Sequence, residues 1–402
     1  MKKKLFLLDG MALAYRAHYA FIKSNLRNSE GIPTGPVLGF ANTLERLLKK
    51  EEPTHIAVAW DTHAPTFRHD MDEAYKANRP PQPEELKVGI PLIKEMLEGY
   101  RIKNIEQDGY EADDLIGTIA SQADAEDVNV FMVTPDKDFM QLVHNHIKMV
   151  KPDNRNGGFN LIDREGVKDY FGVYPEKVVD VLSILGDKSD NVPGVKGIGK
   201  KGAPRLINKY GSLEAAIKDA PNMKSKRHRE GLTNYASEAL HAKRMVKIVT
   251  DIPDVIEWEK LEWKGADADK LVQIFKKLEF RTLTKRYLTK SVNQQAEDGQ
   301  AELFKKSETD AESESIQKYD EEEAQYIFVS TRAQLNAMVA KLQKADHLCF
   351  DTETTGVDGM SSDVVGISFS VKPGEAYYVP LNDELTSPKK ELNEQINLLF
   401  NN

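Results

Sequence analysis

The chain holds a single cysteine, Cys349, in 402 residues. One thiol excludes an intramolecular disulfide and any multi-cysteine zinc site. Long apolar runs are missing as well, since none approaches the ~20 residues that a membrane span needs. The opening Met1-Lys2-Lys3-Lys4 imitates the basic end of a signal peptide, but the apolar run Leu5-Phe6-Leu7-Leu8 stops at Asp9. An export signal needs about 7–15 apolar residues there, so export and membrane partners are not expected. No repeat at a solenoid period is present. Positive charge is also short: 55 Lys and Arg against 64 Asp and Glu leave −9, which by itself argues against a nucleic-acid partner. What the chain does have is length and 40% hydrophobic residues, enough for two or three domains with cores of their own.

The negative charge is unevenly spread. Residues 292–323 contain eleven acids and only Lys305, Lys306 and Lys318, a local balance of −8. Little in that stretch is large and aliphatic, so it reads as a solvated, self-repelling linker over 289–324. An exposed acidic helix is the other reading. Either way it separates residues 1–288 from 325–402.

In the first part, three short apolar runs each lead into an acid: Leu5–Leu8 into Asp9, Ile56–Trp60 into Asp61, and Val128–Val133 into Thr134-Pro135-Asp136. Helical patterns at Val37–Leu48, Glu84–Leu97 and Ala112–Ala123 separate them. Strand, helix, strand at this spacing predicts an α/β fold with a parallel sheet and crossover helices. Ligands bind beyond the carboxyl ends of such strands, which places Asp9, Asp61 and Asp136 on one functional edge. Glu111-Ala112-Asp113-Asp114 opens a helix, Asp136-Lys137-Asp138 follows a strand, and Asp187-Lys188-Ser189-Asp190 ends the apolar run Val178–Leu185.

Each acid alone could be a helix cap or turn residue. Together the nine would repel one another in one cleft unless cations neutralised them. Hard divalent cations, Mg²⁺ or Mn²⁺, match an all-oxygen set. Two such ions suit in-line phosphodiester cleavage. His18, His55 and His63 lack metal-site spacing and offer no rival set.

Gly194 to Lys200 fits G-x-x-x-x-G-K, yet Lys201 stands where a nucleotide-binding loop needs Ser or Thr, and no strand runs into it. Gly194, Gly197 and Gly199 between two helical stretches instead suggest a helix-hairpin-helix element. There backbone N–H groups reach a DNA phosphate, with Lys196, Lys200 and Lys201 as counter-charge. Lys224, Lys226, Arg227 and Arg229 make a further basic stretch of low specificity. The segment 64–83 interleaves Phe67-Arg68, Tyr75-Lys76 and Arg79. That pattern suits clamping a single strand by charge and base stacking.

Leu8-Asp9-Gly10, Trp60-Asp61, Tyr75-Lys76-x-x-Arg79, Gly109–Asp114, Thr134–Asp138 and Gly186–Gly199 occur in this order. Over about residues 1–288 they resemble the 5′-nuclease (flap endonuclease-like) domain of the bacterial DNA polymerase I family. The resemblance implies a PIN-like parallel-sheet core with a helical arch over 1–175 and a helix-hairpin-helix DNA-binding subdomain over 176–288. It implies an enzyme of DNA replication and repair in the bacterial cytoplasm, monomeric and nucleoid-associated, that cuts 5′ flaps, nicks and RNA primers with two or more Mg²⁺ (or Mn²⁺). Asp9, Asp61, Glu111 and Asp113 would hold one ion. Asp136, Asp138, Asp187 and Asp190 would hold or support the second, and Asp114 would support either. Lys76 would contact the scissile phosphate, with Tyr75, Arg79 and Arg68 positioning the strand. The hairpin would also hold K⁺ against the duplex backbone.

In 325–402, His347–Gly356 is a strand leading into D-x-E, and Val364–Val371 reads as another strand. These resemble the start of the ribonuclease H-like 3′–5′ exonuclease domain that follows the 5′ nuclease in that family. Asp351 and Glu353 would face one side of the strand. The further carboxylates are not reached before Asn402, so an incomplete site without proofreading activity is expected. Two rivals remain for the first part: a catalytically silent DNA-junction binder, and a PIN-type ribonuclease. The charge now reads differently, because the linker carries −8 of the −9 and the nine site acids leave a mildly basic remainder.

Overall fold

A computed structural model describes residues 2–153, 158–297, 325–345, 347–355, 363–372 and 374–381. They form two units, Met1–Leu303 and Phe304–Asn402. The first is built on strands β1 (Lys4–Asp9), β2 (His55–Ala59), β3 (Lys103–Ile105), β4 (Asn129–Val133), β5 (Ile147–Pro152) and β6 (Phe159–Ile162). Their order is β3-β2-β1-β4-β5-β6, parallel throughout except for β6. The three expected strands are its centre. The other three carry no continuous apolar run: β3 has three residues, and β5 is interrupted by the partly exposed Lys148 and Lys151.

Both faces of the sheet are covered, which explains the unbroken apolar runs. Alternate residues of β1 enter different cores. Phe6 and Leu8 meet helices α1 (Gly10–Phe21) and α2 (Gly35–Glu51). The short α3 (Phe67–Met71) precedes α4 (Glu84–Gly99), which joins that same face through Ile93 and Leu97. Leu5 and Leu7 meet α5 (Ala112–Asp124) through Leu115 and Ile119. The apolar runs thus specify a buried sheet, and crossover helices follow from its parallel pairing.

Beyond the sheet the chain is helical: α6 (Arg164–Phe171), α7 (Val178–Leu185), α8 (Gly202–Tyr210), α9 (Leu213–Lys218), α10 (Lys226–Asn234) and α11 (Ala236–Val246). Then α12 (Ala268–Lys277) and α13 (Arg281–Glu297) return to α4. There Tyr100, Phe275 and Tyr287 form a ring cluster. Gly99 allows this approach, since a Cβ would stand 2.7 Å from Leu271 Cδ2. Helix α13 runs on to Glu297, into the segment read as linker; the rest of that segment, 298–324, lies outside the described residues.

The second unit has β7 (Gln325–Phe328), α14 (Arg332–Leu342), β8 (Cys349–Thr354), β9 (Val364–Lys372) and β10 (Glu375–Pro380). Its strands run in the order β7-β10-β9-β8 around Met338, Phe369 and Tyr377. Asp351 and Glu353 lie on β8, exposed, two residues apart on one side.

Candidate active site

Register brings the acids to one edge. Asp9 ends β1 opposite Ala59, and Leu8 pairs with Val133, so Asp61 and Asp136 follow just beyond the same edge. Asp9 is also the N-cap of α1: Oδ1 accepts from Ala12 N–H at 2.9 Å and Oδ2 from the Thr134 hydroxyl at 2.8 Å. Thr134, fully buried, accepts in turn from Asp136 N–H at 3.1 Å and so ties two strand ends together. Asp61 Oδ1 accepts from Ala112 N–H at 2.8 Å, docking the start of α5 on the same edge. The cap and the cluster member are therefore the same residue in several places.

Glu111, Asp113, Asp136, Asp138, Asp187 and Asp190 line one cleft. Burial, with Asp61 and Asp136 nearby, pushes Asp9 up to about 7. Burial and the Asp136 charge do the same to Asp138, against the opposing pull of Lys137, again to about 7. Burial and four surrounding carboxylates raise Asp113 too. For Asp187 burial works upward, but hydrogen bonds from Lys137 and Ser189 outweigh it and hold the group below its ordinary value. Among the described residues no three acidic, His or Cys side chains close on a single point as a formed metal site would. The donor chemistry nevertheless suits hard cations, because the cleft is lined by six carboxylates and by neither cysteine nor histidine.

Cations of the chain itself pair with these acids. Lys137 bridges Asp187 at 2.8 Å and Asp138 at 3.1 Å. Lys76 Nζ donates to Glu111 Oε1 at 2.6 Å, and Arg79 donates to Asp190 Oδ1 at 2.5 Å. Burial would lower the Lys76 ammonium, but Glu111 keeps it above its ordinary value. The arch expected over these residues is the five-residue α3 followed by turns to Pro83, lying on the acids as a strap.

Three expected roles need correction. Arg68 is 2% exposed and cannot clamp a DNA strand. It donates to both Asp114 oxygens at 2.6 and 2.8 Å, and to Met245 O and Lys247 O at 2.8 and 2.9 Å, fixing α5 against the end of α11. Asp114, fully buried, spends both oxygens on Arg68 and on the N–H groups of Glu111 and Val249, so it positions α5 rather than holding an ion. Tyr75, 5% exposed, presents no ring for base stacking; its hydroxyl donates to Glu111 Oε2 at 3.1 Å and Asp190 Oδ2 at 3.2 Å. For Arg68 and Tyr75 the sequence shows a cation or an aromatic but not the acid that draws it inward, and for Asp114 it shows an acid but not the guanidinium that claims it.

The glycine segment links α7 to α8 as a tight hairpin. Gly186 (φ +67) passes so near Gly194 that a Cβ would lie 2.4 Å from Gly194 N. Asp187 and Val192 close the loop with paired backbone bonds of 2.9 and 2.7 Å. Val195 and Ile198 are buried, while Lys196, Gly197, Gly199, Lys200 and Lys201 are exposed. Sequence reasoning assigned no role to Thr134 or Lys137, although both stand inside the Thr134–Asp138 motif. Only their pairing with acids distant in sequence distinguishes them.

The fold and this edge define a class. The family described as 5′–3′ exonuclease, N-terminal resolvase-like domain, matches residues 4–172, and its C-terminal SAM fold matches 173–269. The chain therefore belongs to the 5′–3′ exonuclease family. A 3′–5′ exonuclease family matches 326–402. More particularly, this order of modules is that of bacterial DNA polymerase I. The chain is 33% identical to DNA polymerase I of Synechocystis sp. over 94% of its own length and 43% of the relative. It is 38% identical to that of Bacillus caldotenax over 71% of its length and 32% of the relative. For Borreliella burgdorferi the figures are 31%, 99% and 44%. The chain thus spans less than half the length of these curated relatives.

Solved structures share the fold. The T5 D15 protein, co-crystallised with metal ions, matches with TM-score 0.53 at 18% identity over 71% of this chain and 99% of that one. The catalytic core of Rad2 in complex with DNA substrate gives 0.50 at 16% identity over 71% and 91%. Among the described residues no helix is long and apolar enough to cross a membrane.

Proposed function

We propose that Met1–Leu303 is a divalent-cation-dependent, structure-specific nuclease. It hydrolyses DNA phosphodiesters at 5′ flaps, nicks and RNA-primed duplexes, as a monomer in the bacterial cytoplasm and as the leading part of a polymerase I. One observation carries the reading: six carboxylates face one cleft, and Asp9, Asp113 and Asp138 are held above their ordinary values by burial and mutual repulsion. Cations relieve such a cluster.

Asp9, Asp61, Glu111 and Asp113 would hold one Mg²⁺ or Mn²⁺, and Asp136, Asp138, Asp187 and Asp190 the other. Bound there, the ions would supply a water ionised near neutral pH and neutralise charge developing on the leaving oxygen. The rest falls to the chain's own residues. Thr134 holds Asp9 and Asp136 in fixed orientation. Lys76 and Arg79, once exchanged from Glu111 and Asp190, bind the phosphate to be cut. The exposed N–H groups and lysines of Gly194–Lys201 grip the duplex backbone, with K⁺ beside them, and carry no sequence preference.

A labelled 5′-flap duplex incubated with Mg²⁺ tests this. Wild type is expected to release the flap, with Asp136→Ala at least about a hundred-fold slower and EDTA abolishing cleavage. Equal cleavage by both proteins, or cleavage indifferent to EDTA, would reject the proposal.

A further inference from the structure

The strap of residues 72–79 is fastened to the Asp187–Asn191 loop from both sides. Asn78 Nδ2 donates to Lys188 O at 2.8 Å, Asn191 Nδ2 donates to Ala74 O at 2.8 Å, and Lys76 N–H donates to Asp190 O at 3.0 Å. Both asparagines are exposed and lie outside the carboxylate set. Between these fastenings the backbone is strained. Lys76 has φ 55, in the left-handed region that disfavours a residue with a long side chain, whereas Asn191, at φ 59, is of a type that tolerates it. Strain of this kind persists only where surrounding contacts over-determine it. Here it delivers Lys76 to Glu111 and Arg79 to Asp190.

We infer that Asn78 and Asn191 are positioning residues that make the strap a built-in counter-ion, which a divalent cation must displace to gain Glu111 and Asp190. The inference rests on the proposed metal role of the cleft. Glu111 is fully engaged as it stands, with Lys76 at 2.6 Å, the Tyr75 hydroxyl at 3.1 Å and Arg68 at 3.4 Å. A cation taking the place of Lys76 therefore frees the strap, and a strap held less firmly yields its ligands more readily. Linkage makes the two effects equal in size: any factor by which a substitution weakens the closed strap reappears as tighter cation binding. The released segment presents Lys76 and Arg79 to an incoming phosphate only once the cleft is loaded. Ion loading and substrate binding are thereby ordered.

The test combines hydrogen exchange with calorimetric Mn²⁺ titration on the full chain. Amides of Tyr75, Lys76, Ala77 and Arg79 are all hydrogen-bonded in the closed strap. Slow exchange over 75–79 is expected in EDTA, with faster exchange once Mn²⁺ is added and no DNA present. Asn78→Ala and, separately, Asn191→Gly should speed that exchange without metal and tighten Mn²⁺ binding about three- to ten-fold, the worth of one hydrogen bond. Glycine keeps the left-handed backbone at 191, so the amide is removed without added strain. Unchanged exchange with Mn²⁺ bound, or variants that bind Mn²⁺ equally or more weakly, would overturn the strap and leave the cleft intact. No Mn²⁺ binding by any of the three proteins would overturn the cleft reading and the strap with it.

Discussion

Two basic segments of the first unit have similar residues and opposite fates. Tyr75-Lys76-x-x-Arg79 lies against acids, with its ring buried and both cations paired. Lys196, Lys200 and Lys201, on the glycine hairpin, stay in solvent. Neighbours account for the difference. The strap crosses the sheet edge where the acids converge, and their field draws Lys76 inward and pairs Arg79 at the rim. The hairpin is anchored by Val195 and Ile198, which leaves its lysines facing out. A basic motif therefore specifies a charge, and the fold decides whether that charge is spent internally or kept for a partner.

The largest test of this contrast removes the anchor beneath the strap. Arg68→Met leaves Asp114 buried without its guanidinium, and breaking such a pair costs about 3–5 kcal/mol. Urea denaturation should show a loss of that order, whereas Lys200→Ala should be nearly silent. Binding to a flap duplex in EDTA then separates the segments. Lys200→Ala with Lys201→Ala should flatten the salt dependence by about 0.9 in log–log slope for each phosphate no longer neutralised. Arg79→Ala, whose charge is already paired in the closed strap, should leave that slope nearly unchanged. Equal slopes for both would erase the comparison.

The smallest effect is on pH. Asp9 and Asp138 are raised to about 7 from an ordinary 3.8. Between those values the folded form binds more protons than the unfolded one, so their contribution to stability declines as pH rises through the window in EDTA. Protons also compete with cations for the same oxygens. The rise in Tm on adding Mg²⁺ should therefore be larger at pH 8 than at pH 6, by a few degrees. A rise independent of pH would mean that these carboxylates are not the ligands.

Much of the site was legible because parallel strands announce themselves. A run such as Ile56–Trp60 must be buried on both faces, and an acid directly after it must stand at the strand's carboxyl edge. Gly194 and Gly197 were legible for a similar local reason, since close approach and positive φ favour glycine. Arg68 and Tyr75 were misread because their partners, Asp114, Met245 and Asp190, are distant in the chain. The strands β5 and β6 escaped because one lies toward the sheet edge and the other forms it, where polar residues such as Lys148, Lys151 and Asn160 interrupt the apolar run.

The sequence by itself determined the central strands, the carboxylate set at their ends, the glycine hairpin and the split into two units. Those follow from periodicity, burial and local backbone constraint. Only the tertiary structure decided which cations face solvent and which neutralise the acids, and that Asp114 supports α5 instead of an ion. The reason is physical: electrostatic pairing acts through space at a few ångströms, and chain order does not record which side chains come that close.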